Sequence, residues 1–254
     1  MIIIGNIFIL TALVKLVNKK ISFIDSAKII AYSSLINFFG FLQGGIGFRG
    51  IYLKRHFSVS FSKYFEITLA QYLILFLVTG LFLITGIGMT SGISQAVLIL
   101  LSTLFFAIMI ILILNRTKPT FYLNFVAYIK NIYTTFTMWP ILGVIAATII
   151  QLCGFLLAGS IELSAIGSNI TLGGMLIYTG AAQFSIIIAL TPGAIGIREG
   201  ILLIVHNQMH LSAQEIIIAA TIDRLIYFVT LVIFTPLSFG VKGINSSPRK
   251  LSPK

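Results

Sequence analysis

Between two apolar runs, Ile170–Leu190 and Ala213–Thr235, the chain reads Thr191-Pro192-Gly193-Ala194-Ile195-Gly196-Ile197-Arg198-Glu199-Gly200. Proline and glycine interrupt helices, and the arginine and glutamate are ionisable, so the stretch differs sharply from the lipid-compatible sequence around it. Within a bilayer, unwound backbone persists only where protein buries it or where it lines a wet cavity. An arginine at that depth costs about 2.5–3.5 kcal/mol on insertion scales, which makes it a functional-site candidate. The other half of the chain carries Gly44-Gly45-Ile46-Gly47-Phe48-Arg49, in the same Gly-x-Ile-Gly-x-Arg register. Interrupted segments at corresponding places in two halves are the sequence pointer to a site near the bilayer midplane.

The remaining sequence fits that setting. Of 254 residues, 58% are hydrophobic and only 9% charged, and the mean hydropathy is +1.07, which places the chain among polytopic membrane proteins. The expected fold is an all-α membrane helical bundle with about six to eight membrane segments, some of them broken or re-entrant. One membrane domain is expected over residues 1–240, with a basic cytoplasmic tail, 241–254, expected to be disordered. Cys153 is the only cysteine, so no disulfide forms within the chain. A net charge of +11 in a soluble chain would suggest nucleic acid. Here the basic residues read instead as cytoplasmic-loop residues that fix topology and meet anionic lipid, and no nucleic-acid partner is expected. Residues 1–17 lack a basic leader and a small-residue cleavage site, so they read as a retained span.

Four runs are long and apolar enough to span: Ile67–Ile87, Ile93–Leu114, Ile141–Ile161 and Ile170–Leu190. Ala213–Thr235 is as long but carries Glu215 and the pair Asp223-Arg224. Basic residues crowd 15–63, 115–130 and the tail, whereas 86–92, 160–169 and 199–215 have no lysine or arginine. The first group is expected inside and the second outside. That arrangement brings Ile170–Leu190 in and starts Ala213–Thr235 outside, so Thr191–His210 is expected to cross as a discontinuous segment. Ile29–Gly47, with Lys28 before it and Arg49, Lys54 and Arg55 after it, is expected to be a re-entrant hairpin from the cytoplasmic side. In Pro119–Trp139, the helical spacing of Phe121, Phe125, Tyr128, Ile132 and Phe136 predicts an amphipathic interfacial helix.

The glycine motifs admit two readings. They let the chain turn and present backbone N–H groups, which attract anions and phosphate above all, and an arginine beyond adds a planar bidentate partner for phosphate oxygens. Alternatively, the glycines only let helices approach closely. Recurrence of the motif in one register favours the first. Gly45–Gly50 also matches a dinucleotide fingerprint, but lacks the strand and βαβ unit that would give it meaning. Arg198, Glu199, Asp223 and Arg224 are able to neutralise one another, either as a gate or coupling network or as a static ion cluster. Gln71, Gln151 and Gln183 lie within spans and are expected to bond neighbouring helices. His206 and His210 are four apart but lack a third ligand, so no metal is expected. No serine–histidine–acid or cysteine–histidine arrangement stands out, so neither catalytic residues nor a cofactor are expected and the chain is not expected to be an enzyme. Asn169-Ile170-Thr171 and Asn245-Ser246-Ser247 match glycosylation sequons that arise readily by chance.

The stretches Asn37–Arg55 (NFFGFLQGGIGFRGIYLKR) and Thr191–Leu203 (TPGAIGIREGILL), with Asp223-Arg224 further on, resemble the flippase-like transmembrane family named after the membrane region of lysylphosphatidylglycerol synthase. The resemblance covers nearly the whole chain. It implies an integral membrane protein that moves lipids or lipid-linked head groups between leaflets. By similarity Gly44, Gly47, Arg49, Pro192, Gly193, Gly196, Arg198, Glu199 and Arg224 occupy the family's recurrent positions, and Asp223 joins them as the neighbour of Arg224. Gln43 stands where a proline is usual and Phe48 where a small or acidic residue is frequent. The chain starts later than the resemblance implies, as though a leading helix were missing. It ends without an aminoacyl-transferring domain, so translocation rather than lysyl transfer is the expectation.

The resulting expectation is a multi-pass cell-membrane protein that binds or translocates an anionic lipid or lipid-linked head group through a polar cavity. Arg49 and Arg198 would hold the phosphate, with Glu199, Asp223 and Arg224 balancing charge. The alternative is a non-transporting subunit or scaffold that binds a partner enzyme of lipid or envelope metabolism through small-residue faces and basic loops; a homo-oligomer or a partner membrane enzyme is the protein partner to expect. A membrane-embedded lipid-modifying enzyme is a third possibility, disfavoured by the missing nucleophile–base arrangement.

Overall fold

The computed structural model describes residues 2–40, 43–97, 100–101, 138–188 and 191–240. The expected interfacial helix in 119–139 and the basic tail therefore lie outside the described residues, as does most of Ile93–Leu114. Among the described residues the chain is helical, with no strand. Its elements are α1 (Ile2–Leu16), α2 (Phe23–Phe39), α3 (Gly44–Phe57), α4 (Phe61–Ser91), α5 (Met138–Ala165), α6 (Leu172–Ile187), a 3-10 turn (Pro192–Ala194), α7 (Ile197–Ile204), α8 (His206–Met209) and α9 (Ala213–Gly240).

Hydroxyl side chains set several helix starts. Ser22 accepts the Asp25 amide at 3.0 Å to open α2, and Thr171 accepts the Gly174 amide at 3.2 Å to open α6. Ser212 and Glu215 cap α9 reciprocally: the Glu215 amide donates to Ser212 Oγ at 3.2 Å, and the Ser212 amide donates to Glu215 Oε2 at 2.7 Å. Glu215 is thus explained by the helix start, and it also accepts from Ser168 at 2.5 Å, tying the α5–α6 connection to α9. Lys54, Arg55 and His56 fill the last turn of α3, where positive charge suits the helix dipole.

Phe61–Ser91, Trp139–Ala165 and Ala213–Ser238 are long and apolar enough to cross a membrane. Their outer faces are lipid-compatible: Leu73, Leu77 and Leu81 on α4, Ile150, Leu157 and Ile161 on α5, and Leu225, Val229 and Val232 on α9 are exposed. These three helices thread two buried cores. One gathers α1, α2 and Leu53 of α3 with Tyr64 and Ile67 near the start of α4, Val144 and Ala147 near the start of α5, and Leu231 towards the end of α9. The other gathers α6 and Leu202 of α7 with Ile87 near the end of α4, Leu163 near the end of α5, and Ile216 and Ala219 near the start of α9. Each core therefore marks one end of the bundle. Glycines let α4 and α6 pack closely: a Cβ on Gly86 would stand 2.6 Å from the Gly173 carbonyl oxygen.

The two remaining helix pairs are hairpins. α3 runs back along α2, since a Cβ on Gly45 would meet the Ser33 carbonyl at 2.1 Å and the ring of Phe48 lies 5.7 Å from that of Tyr32. The expected hairpin around the first motif is present, but the motif itself is helical from Gly44. α2 ends at Phe39 and α3 begins at Gly44, with Gln43 just before it in a left-handed conformation (φ 51°).

The second motif departs further from the expectation. α6 stops at Ile187, and its 16 residues rise about 24 Å, short of the roughly 30 Å hydrocarbon core. After the turn at 192–194, α7 and α8 fold back beside α6, because a Cβ on Gly174, in the first turn of α6, would lie 3.3 Å from the Met209 carbonyl. Thr191–His210 is therefore a returning arm rather than a crossing one. Twelve helical residues in two pieces reach too little distance to span, and α6 already supplies the surface against which they are buried.

Candidate functional site

The hairpin tips meet inside the bundle. The Gln43 amide donates from Nε2 to the Ile186 carbonyl at 2.5 Å, and the Tyr72 hydroxyl donates to Gln43 Oε1. The end of α2 packs on the 192–194 turn, with the Phe38 carbonyl 3.6 Å from where a Gly193 Cβ would be. Each elbow is held differently. In the first, the Gly45 amide donates to Asn37 Oδ1 at 2.8 Å and the Tyr64 hydroxyl donates to the Ile46 carbonyl at 2.8 Å. In the second, Gly193 (φ 56°) and Gly196 (φ 81°) supply left-handed turns that a side chain resists, and Ala194 (φ 55°) shares that conformation without glycine's freedom.

Four charges brace the second elbow. Arg198 on α7 pairs with Asp223 on α9, and Arg224 pairs with Glu199 at 2.5 Å. Glu199 also accepts the Gly196 amide at 2.8 Å through its other oxygen, closing the first turn of α7. The Arg224 Nη2 donates to the Ala194 carbonyl at 3.5 Å. Both pairs tie α7 to α9, and buried charges in apolar surroundings require such partners. The mutual neutralisation expected of these residues is present as two crossed ion pairs.

Beside the elbows lies a cavity of about 210 Å³, more than ten times the volume a single water needs. Arg49, Gly193, Arg198, Asp223 and Arg224 line it. Gly44, Gly47, Pro192, Gly196 and Glu199 do not line it. Among the described residues Arg49 has neither ion pair nor hydrogen bond, and its Nε is buried without a partner. Tyr64, Tyr72 and Tyr227 are within electrostatic range of it.

Several lining residues are absent from the sequence-based set, namely Asn37, Gln43, Tyr72 and Tyr227. A signal for part of this was present: Thr68, Gln71, Tyr72 and Leu75 fall at i, i+3, i+4 and i+7, one polar-bearing helix face in an apolar run. Gln151 does bond a neighbouring helix, donating to Asn6 at 3.2 Å, and Gln71, Gln151 and Gln183 all line the cavity. His206 directs a ring nitrogen to the Leu203 carbonyl at 2.7 Å, closing the α7–α8 kink.

Long apolar helices enclosing two broken hairpins and a polar, arginine-bearing cavity define an integral membrane protein of the helical-bundle class. The chain belongs to the lysylphosphatidylglycerol synthase TM region family, whose pattern matches residues 1–234. No curated protein and no solved structure matches it.

Proposed function

We propose that this protein is a multi-pass cell-membrane translocator of an anionic lipid or lipid-linked head group, which enters the central cavity while the acyl chains stay in the bilayer. One observation carries this reading: two interrupted hairpins, based at opposite ends of the bundle, meet at a polar cavity that holds an arginine, Arg49, without a counter-ion among the described residues. Such a meeting of discontinuous segments is how transport folds place charged groups at mid-depth. Lys54, Arg55 and Lys63 sit at the end where α4 begins, whereas 160–169 and 199–215, at the opposite end, have no lysine or arginine. On the positive-inside rule α2–α3 therefore enters from the cytoplasm and α6–α7 from outside. This assignment also removes the need for residues 191–210 to cross.

In this reading Arg49 receives the phosphate, Arg198 and Arg224 are held by their acids as framework, and Tyr72 with Gln71 and Gln183 offers hydrogen bonds to the head group. The chain acts without a catalytic residue or cofactor of its own, and its partners are membrane lipids. The test is head-group translocation in proteoliposomes reconstituted with the purified full chain. Wild-type protein accelerates exchange of a head-group-labelled anionic lipid between leaflets, and an Arg49→Gln variant that elutes as wild type does not. Equal rates in protein-free, variant and wild-type vesicles would refute the proposal.

A further inference from the structure

We propose that Glu162, outside the cavity wall, is a proton-binding site through which a proton gradient drives movement of the anionic cargo. The driving role rests on the translocator reading above; the proton site does not. The chain has six acids, and all but one are engaged. Asp25 accepts from Ser22, Glu66 from Ser62, and Glu215 from Ser168 and Ser212. Asp223 and Glu199 hold Arg198 and Arg224. Glu162 alone accepts no side-chain hydrogen bond and joins no ion pair among the described residues, although it is only 7% exposed. It stands in the last turn of α5, next to Leu163 of the second core.

Its surroundings are charged and short of hydrogen bonds. Asp223 on α9 and Arg198 on α7 act on it electrostatically, and Tyr178 on α6 is within electrostatic range of all three. One turn back along α5, a Cβ on Gly159 would stand 3.3 Å from the Tyr178 ring, which sets α5 against that tyrosine. The Tyr178 hydroxyl and Arg198 Nε are both buried without a well-formed hydrogen bond. The other groups on the helices packed against α5 are remote or committed. α4 has no titratable residue after Tyr72, and α1 has only Lys15, in its last turn. On α9, Arg224 is held by Glu199, Glu215 caps the helix start, and Tyr227 lines the cavity.

The second elbow thus gathers two cations, Arg198 and Arg224, and three carboxylates, Glu162, Glu199 and Asp223. Fully ionised, it carries one negative charge in excess, and an uncompensated charge in apolar surroundings is costly. One proton, taken from water to form an O–H bond on the Glu162 carboxylate, removes that excess. The acid then becomes a donor as well as an acceptor, and the Tyr178 oxygen is free to receive its hydrogen bond. Arg198 stays on Asp223 in this state. When the proton leaves for water, the bare carboxylate competes with Asp223 for Arg198, whose Nε is the spare donor. Asp223 lines the cavity and Glu162 does not. Drawing Arg198 towards Glu162 therefore uncovers negative charge in the cavity and expels an anion, while the Arg224–Glu199 pair keeps α7 on α9. Proton and anion bind together, leave together and move in the same direction. Residues 160–169 hold no lysine or arginine, so in the topology proposed above Glu162 exchanges its proton with the external side.

Infrared difference spectra of the purified full chain in phosphatidylcholine nanodiscs, taken between acid and alkaline buffer, test the site without any transport. Wild type shows a buried carboxylic-acid band that Glu162→Gln removes and Glu162→Asp keeps. An unchanged spectrum in Glu162→Gln overturns the proposal. Phosphatidylcholine proteoliposomes carrying trace head-group-labelled phosphatidylglycerol then read the coupling. With one proton per lipid, a gradient of one pH unit drives about a tenfold difference in label between the leaflets. A Glu162→Gln variant that elutes as wild type leaves the label evenly distributed. Even distribution in wild type under the gradient, with exchange intact, overturns the coupling and leaves the translocator standing. So does a Glu162→Gln response equal to that of wild type. No exchange in wild-type vesicles under any gradient refutes the translocator and leaves the proton site to the infrared result.

Discussion

The two glycines Gly45 and Gly47 are a turn apart at most, yet alanine at each has opposite consequences. A Cβ on Gly45 would lie 2.1 Å from the Ser33 carbonyl oxygen and 2.6 Å from Asn37 Oδ1, whereas a Cβ on Gly47 meets nothing within 4 Å. Because real Cβ atoms essentially never come within 3.0 Å of such neighbours, Gly45→Ala forces α2 and α3 apart by about 0.9 Å. A gap of that size forfeits roughly a quarter to a half of each dispersion contact across the seam. Overpacking of this kind costs about 1–3 kcal/mol, and loss of the Gly45–Asn37 hydrogen bond adds about 0.5–1.5 kcal/mol. Gly47→Ala instead gains helix propensity, up to about 1 kcal/mol. Heating detergent-solubilised protein and following the surviving peak by fluorescence-detected size exclusion compares the two. Gly45→Ala loses its peak at a lower temperature than wild type and Gly47→Ala does not. Equal stability of the two variants would refute the close approach of the hairpin arms.

Three further outcomes follow from the elbows. Asp223→Ala leaves Arg198 buried beside an empty space and costs about 3–5 kcal/mol in the same assay, while Asp223→Leu with Arg198→Met loses less than the two single changes added together; strict additivity would mean the pair does not interact. Ala194→Gly relieves a left-handed alanine and raises the apparent unfolding temperature by the equivalent of about 0.5–1 kcal/mol, the strain released less glycine's entropy; a fall would contradict the conformation. Gln43→Asn keeps a residue tolerant of positive φ but is too short to join Ile186 and Tyr72, costing about 1–3 kcal/mol for two hydrogen bonds, whereas Gln43→Pro also imposes φ near −65° and is worse; a proline variant as stable as the asparagine one would show that the left-handed elbow is not required.

Much of this architecture was legible because bilayers constrain sequence strongly. The long apolar runs gave α4, α5 and α9, and the distribution of lysine and arginine gave the hairpin character of 29–47. The same charges misled at 170–210. Counting crossings treats every apolar run of twenty as a span, and nothing local in Ile170–Leu190 marks that the helix ends at Ile187. Its end is set by Pro192 and the left-handed Gly193 a few residues on, and by the chain's return beside Gly174. That contact is non-local, so no window along the sequence contains it. The charged quartet was readable as mutually compensating from composition alone, but its pairing was not, because adjacency in sequence puts Arg198 beside Glu199 and Asp223 beside Arg224. The observed pairs cross between helices instead.

The repeated motif shows why pattern and mechanism separate. Gly-x-Ile-Gly-x-Arg occurs twice, yet the first copy is helical and needs Gly45, a position outside the shared pattern, for packing. The second copy is unwound and needs Gly193 and Gly196 for their positive φ. What the copies share is the arginine that follows the break by one or two turns, and even there the environments differ. Arg198 meets Asp223, while Arg49 meets no acid among the described residues. A reading that gives both arginines the same phosphate-holding role follows from the pattern; the electrostatics divide the roles. The ion-paired arginine fixes α7 to α9, so that the second hairpin and its long helix behave as one body. The first hairpin's tip is joined to the second by one hydrogen bond, from Gln43 to Ile186, and by contact of Phe38 with the 192–194 turn, links that cost far less to break than a buried ion pair. If the cavity opens by parting the tips, the first hairpin is therefore the element that moves. Cysteines replacing Phe38 and Pro192, on the two packed elements, in a Cys153→Ser background and cross-linked by a short bifunctional reagent, would stop translocation without abolishing folding, and reduction of a cleavable linker would restore it. Full activity in the cross-linked protein would show that the tips need not separate.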